Sequence, residues 1–161
     1  MTYKTHITGG LMLTLGSAAL LNMIDVKPNN LGEVGLLFGC ALIGSLLPDI
    51  DHPNSKINKY NPLSTIVCMV AQHRSITHSL LWIVVVSLVG LLYKFNFWAI
   101  LGLNIGILSH LLLDMMNPTG VPLFYPHKKM YRICKISTGS AGEWCVLGVM
   151  GLLFGLIVLG I

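Results

Sequence analysis

Five stretches of the chain carry no charged side chain, and each is close to the length of a bilayer crossing. Lys4 and Asp25 bracket 20 such residues, Glu33 and Asp49 bracket 15, Arg74 and Lys94 bracket 19, Lys94 and Asp114 bracket 19, and Glu143 is followed by 18. About 20 apolar residues in a helix cross the hydrocarbon core of a membrane. In water these stretches would need a polar surface to hide behind, and the chain lacks one. Of 161 residues, 10 are basic, 6 are acidic and 54% are hydrophobic, whereas a soluble domain is about a quarter charged. The predicted fold is therefore all-α: one membrane-embedded helical bundle, residues 1–161, with about five transmembrane helices near 7–24, 31–47, 79–94, 97–116 and 144–161. The spans are rich in glycine, including Gly9, Gly10, Gly39, Gly102, Gly106 and Gly148, which suits close helix packing in lipid.

Two segments need separate treatment. The first span is too apolar for too long, and too poor in a small-x-small cleavage site, to read as a removable signal peptide. Residues 61–72 are apolar but reach only about 18 Å as a helix. They are expected to form one short interfacial helix, with Asn61 as cap and Pro62 in its first turn.

Five crossings put Lys4, Lys56, Lys59, Arg74, Lys128, Lys129, Arg132 and Lys135 on one side and leave Lys27 and Lys94 on the other. Excess positive charge marks the cytoplasmic face, so a multi-pass inner (plasma) membrane protein with a cytoplasmic N-terminus is expected. No basic cluster is interleaved with aromatics in the manner of a nucleic-acid binder. Cys40, Cys68, Cys134 and Cys145 lack paired metal spacing and read as buried packing residues.

The same topology gathers every histidine at that cytoplasmic face. His6 opens the first span, Asp49, Asp51 and His52 follow the second, and His73 and His78 precede the third. His110 and Asp114 end the fourth, and His127 and Glu143 lie ahead of the fifth. His110 and Asp114 are four residues apart, on one face of a helix. Ionisable groups at membrane depth are costly and are usually retained for function. Asp49 and Asp51 would repel one another without a positive charge between them. A metal ion supplies that charge. Mixed imidazole and carboxylate ligands suit Zn²⁺, with Mn²⁺ or Fe²⁺ also compatible, and there are enough of them for two or more ions. Metal-activated water attacking an ester is the simplest chemistry for such a set. His127, beside Lys128 and Lys129, is the weakest member and reads as a solvated loop residue.

Four motifs carry a resemblance: Thr5-His6, the run Leu47-Pro48-Asp49-Ile50-Asp51-His52-Pro53, the run His73-Arg74-Ser75-Ile76-Thr77-His78-Ser79, and His110-Leu111-Leu112-Leu113-Asp114 leading into Asn117-Pro118-Thr119-Gly120. In these the chain resembles the YdjM-like family of membrane-bound metal-dependent hydrolases. The resemblance implies an inner-membrane hydrolase whose metal ligands are those His and Asp residues. The order His, Asp, His, His-x3-Asp, His, Glu is also similar to the ligand order of zinc-dependent phospholipases C.

The expectation is a hydrolase cleaving a phosphoester of a lipid or lipid-linked substrate. His6, Asp49, Asp51, His73, His78, His110 and Asp114 would hold metal, and His52 would be a ligand or proton shuttle. Arg74 would grip phosphate oxygens through its planar guanidinium, and Asp51 or Glu143 would be the general base. A transport-related protein and a non-catalytic one, in which metal only staples the helices, are the alternatives. The transporter fits less well, because the outer halves of the spans carry almost no ionisable groups.

Overall fold

The structure, a computed structural model, describes residues 1–51 and 76–159. Among these it is helical: α1 (Tyr3–Met23), α2 (Leu31–Leu46), α3 (Leu80–Leu92), α4 (Phe97–Met115) and α5 (Ala141–Leu159). A 3₁₀ turn, Leu47–Asp51, continues α2, and a second, Ile76–His78, leads into α3. No strand forms among the described residues, and extended pairing is limited to a single bridge between Val121 and Tyr131.

Each predicted span falls on one helix, but the helices differ in reach. Leu31–Ile50 and Phe97–Met115 are long and apolar enough to cross a membrane. The third is shorter than its predicted 79–94. At 13 residues α3 rises about 20 Å, because the chain enters it through the 3₁₀ turn and Ser79. The predicted interfacial helix at 61–72 lies outside the described residues.

Local sequence explains where the helices begin and turn. Asn30 caps α2 by accepting from the Glu33 N–H at 3.0 Å, and the Glu33 carboxylate reaches back to the Asn29 N–H at 2.7 Å. This is the reciprocal logic of a capping box. Asn96 caps α4 by accepting from the Trp98 N–H at 2.8 Å. The reversals after α1 and α3 use Asp25 (φ 58°) and Lys94 (φ 54°) in the left-handed region. The next N–H then closes back on the helix, Val26 to the Leu21 carbonyl and Phe95 to the Gly90 carbonyl. These are Schellman-type endings built without glycine at the left-handed position.

α4 is the central element, with eleven buried residues. It meets α2 backbone to backbone: a Cβ at Gly102 would fall on the Leu37 carbonyl oxygen, one at Gly106 on that of Ala41, and one at Gly44 on that of Leu103. Small residues permit this approach, which gains dispersion contacts that lipid does not match. α1 closes the third side, where Gly10 faces Ser45 and Gly9 faces Leu113. Leu37, Trp98 and Ile105 form an apolar cluster toward the start of α4. The last turns of α4 hold polar groups instead.

The exterior is apolar. Leu20, Leu31, Ile43, Leu88, Leu92, Val149 and Leu152 are all exposed, a surface that only lipid or another apolar partner can cover. Burial of the cysteines differs from expectation. Cys145 is exposed and Cys40 and Cys134 only half-buried. Cys145 lies on the outward side of α5, where a small apolar thiol is at home without protein packing. Cys68 lies outside the described residues.

Candidate metal centre

The close contact of α1, α2 and α4 fixes the heights of four side chains. His6 comes from the first turns of α1, Asp49 from the 3₁₀ turn after α2, and His110 and Asp114 from the last turns of α4. His78 enters from the turn before α3. His6, His78 and His110 are at most 1% exposed and Asp114 is 2% exposed.

The distances converge. His110 Nε2 lies 3.7 Å from Asp49 Oδ1 and 3.7 Å from Asp114 Oδ2. His78 Nε2 lies 3.8 and 3.7 Å from the same two oxygens. His6 Nε2 is 3.4 Å from Asp114 Oδ1, and its ring stacks on that of His110 with centroids 3.8 Å apart. The α-amino group of Met1 also donates to Asp114 Oδ1, at 2.8 Å. Two ligand trios, His6–Asp49–His110 and His78–His110–Asp114, have their donor atoms within 4.8 Å of one another.

The tautomer of His110 decides what this geometry means. Its Nδ1 lies 2.7 Å from the Ser45 carbonyl oxygen. A carbonyl can only accept, so Nδ1 carries a proton, and in the neutral imidazole Nε2 presents a lone pair. That lone pair faces two carboxylates, and Nε2 is buried without a hydrogen-bond partner. Separations of 3.7 Å are too long for hydrogen bonds. They fit two donors of one ion, since N and O ligands about 2.1 Å from a tetrahedral Zn²⁺ stand about 3.4 Å apart. Both ring nitrogens of His6 are likewise buried without a hydrogen-bond partner. Unpaired buried nitrogens cost free energy, which a shared cation would recover. The Ser45 carbonyl is the kind of outer contact that holds a ligating imidazole in its tautomer. Because His110 offers one lone pair, it serves one ion, and the two trios are alternative descriptions of a single position.

Glu143 is buried but stands apart from these trios. Its Oε1 accepts from the Thr2 N–H and the Thr5 hydroxyl, and its Oε2 accepts from the Gly139 N–H at 2.7 Å. It ties α5 to the start of α1, one residue from His6. His127 is exposed on the loop between α4 and α5. Asp51 closes the first 3₁₀ turn, and His52, His73 and Arg74 lie outside the described residues. Sequence reasoning missed Ser45, whose carbonyl carries no side-chain signature, and gave no separate role to Thr5, whose partner stands 138 positions away. The Gly102–Gly106 spacing was the available signal for the close approach that aligns Ser45 with His110.

An apolar exterior around a buried imidazole–carboxylate cluster defines a helical membrane protein with a candidate metal centre. The chain belongs to the YdjM inner membrane protein family, whose model matches residues 1–160. It is 36% identical over 132 residues to "Inner membrane protein YdjM" of Escherichia coli (strain K12), covering 78% of this chain and 67% of that protein. It is 35% identical over 149 residues to "Uncharacterized protein YvsG" of Bacillus subtilis (strain 168), covering 91% of this chain and 88% of that one. No solved structure matches the chain. The family is one of inner membrane proteins, and that is where this chain resides.

Proposed function

We propose that this protein is a metal-dependent hydrolase of the inner membrane, cleaving a phosphoester of a lipid or lipid-linked substrate at the cytoplasmic face. The observation that carries the metal reading is His110 Nε2, buried without a hydrogen-bond partner and 3.7 Å from both Asp49 and Asp114. The five helices are read as five crossings with the N-terminus inside, α3 reaching across together with the 3₁₀ turn Ile76–His78 that leads into it, which sets the cluster at the height of the cytoplasmic headgroups.

His6, Asp49, His78, His110 and Asp114 would hold the ion, with Asp51 and His73 extending the set toward a second. A bound Zn²⁺, Mn²⁺ or Fe²⁺ would supply an activated water and positive charge for a phosphoryl oxygen. Asp49 has a side chain 27% exposed, against 3% or less for the other carboxylate and the imidazoles. Among the described residues the site is therefore most exposed at Asp49, the side from which substrate and water would enter, and an open edge would favour a catalytic over a stapling role. Glu143 has both oxygens engaged by three donors, which supports a tethering role and leaves Asp51 or His52 to move the proton. Arg74 would orient the phosphate.

The test is hydrolysis by the purified protein in detergent or vesicles, across phosphomonoesters, phosphodiesters and phospholipids. Chelator-sensitive release of product, restored by added metal and abolished in Asp114→Ala, is expected. Full metal occupancy with no turnover on the whole panel would favour the staple instead.

A further inference from the structure

The loop between α4 and α5 is basic and apolar at once. Residues 115–142 contain Lys128, Lys129, Arg132 and Lys135 and no acidic residue, and all four cations are exposed. Among them, Phe124 (52% exposed) and Ile133 (64% exposed) project apolar surface that no part of the described protein covers.

This is a built feature rather than a loose tail. Val121 and Tyr131 exchange both backbone hydrogen bonds, at 3.0 and 2.8 Å, closing a hairpin-like loop. Phe124 packs edge-on against Tyr131, and the Lys129 ammonium sits 5.4 Å from the Tyr131 ring centre. Three more backbone bonds pin the loop to helix ends: Leu80 N–H to the Leu123 carbonyl, Ile133 N–H to that of Met115, and Ile136 N–H to that of Met116. The loop is thus held where α3 begins and α4 ends. Given that these two helices cross the bilayer, as proposed above, that height is the headgroup layer.

Aromatic and apolar side chains interleaved with cations suit such a layer, the rings resting among acyl ends and the cations among phosphates. We infer that residues 121–135 form a binding surface for anionic phospholipid headgroups, separate from the His/Asp cluster. Charge complementarity names the occupant: four cations without one compensating carboxylate select acidic over zwitterionic lipid. It would concentrate anionic lipid beside the candidate centre whatever chemistry occurs there.

The test uses the full chain with Phe124→Trp as reporter, reconstituted in mixed phosphatidylglycerol and phosphatidylcholine vesicles in which one lipid at a time is dibrominated. Signal from Trp82, Trp98 and Trp144 is subtracted using the parent protein. Brominated phosphatidylglycerol should quench the reporter several-fold more than brominated phosphatidylcholine. Each cation contributes up to about fivefold, so Lys128→Gln with Lys129→Gln should remove most of that preference. High salt should lower it in the unsubstituted loop too, which guards against a misfolded variant. Equal quenching by the two lipids overturns the inference. So does a reporter reached by iodide but by neither lipid, the result expected of a loop facing water or a protein partner. Trp144, 62% exposed on α5, separates the premises: if neither lipid quenches it in the parent, the spanning topology itself fails.

Discussion

Adding one methyl group at Gly106 should weaken metal binding at a site that the methyl never touches. A Cβ there would stand 2.2 Å from the Ala41 carbonyl oxygen and 2.6 Å from the Ser45 nitrogen, both backbone atoms of α2. Real Cβ atoms keep at least 3.0 Å from such neighbours, so α2 and α4 must part locally by about 0.8 Å. His110 lies one turn further along α4, and its Nδ1 bond to the Ser45 carbonyl is 2.7 Å. Opened by the same amount it reaches about 3.5 Å, where a hydrogen bond is no longer made. The imidazole is then free to rotate or change tautomer, and Nε2 loses its aim at Asp49 and Asp114. Loss of such an outer contact typically costs 10–100-fold in metal affinity, or about 1.4–2.7 kcal/mol. Competition against chelators of graded affinity would measure it in detergent. Gly16→Ala is the matched control, since nothing lies within 4 Å of its Cβ position. Gly106→Ala protein that folds with unchanged affinity would refute the coupling of helix packing to the site.

His110→Ala and Asp114→Ala should each lower bound metal measured by elemental analysis to under half of the parent content, while His127→Ala leaves it unchanged. Glu143→Gln turns an amide N–H₂ toward either the Gly139 N–H or the Thr2 and Thr5 donors. It should therefore cost about 2 kcal/mol, as expected for a charged acceptor losing part of its set, read as a thermal midpoint several degrees lower. Thr5→Val should show a smaller drop with the same sign. Single cysteines placed in the segment 49–60 should be labelled only from the cytoplasmic side and one at Ile161 only from outside; labelling of residues 117–143 from outside would overturn the orientation.

Charge spacing made the helices legible because a bilayer imposes a single length on every crossing. The positions of Lys4, Asp25, Glu33, Asp49, Lys94 and Asp114 were enough to find five helices and to predict that His6, Asp49, His78, His110 and Asp114 share one end. What stayed hidden was carried by backbone atoms or by distant pairs. The Ser45 carbonyl that orients His110 is common to every residue type. The three donors on Glu143 come from Thr2, Thr5 and Gly139 and are set by tertiary packing alone. The left-handed endings at Asp25 and Lys94 lack the glycine that usually announces them. The thiol of Cys145 looked like a core residue because, in a membrane protein, an apolar residue faces lipid as readily as protein.

The charges at the centre constrain how it can be completed. Asp49 and Asp114 bring two negative charges into a space where the neighbouring imidazoles are buried and His110 is held in its neutral donor tautomer by Ser45. The Met1 ammonium already pairs with Asp114 at 2.8 Å, so a divalent cation would make the set neutral only by displacing that ammonium, and a neutral set is the arrangement that low-dielectric surroundings penalise least. A second ion at the same place would leave two positive charges uncompensated, and His110 has no second lone pair to offer it. Its ligands would have to come from the neighbouring motifs, where Asp51, His52 and His73 stand in sequence, and its charge would have to be met by Asp51 and an incoming anion. A phosphate ester is such an anion. Under the proposed hydrolase reading, substrate binding and completion of a two-ion site would then be one event.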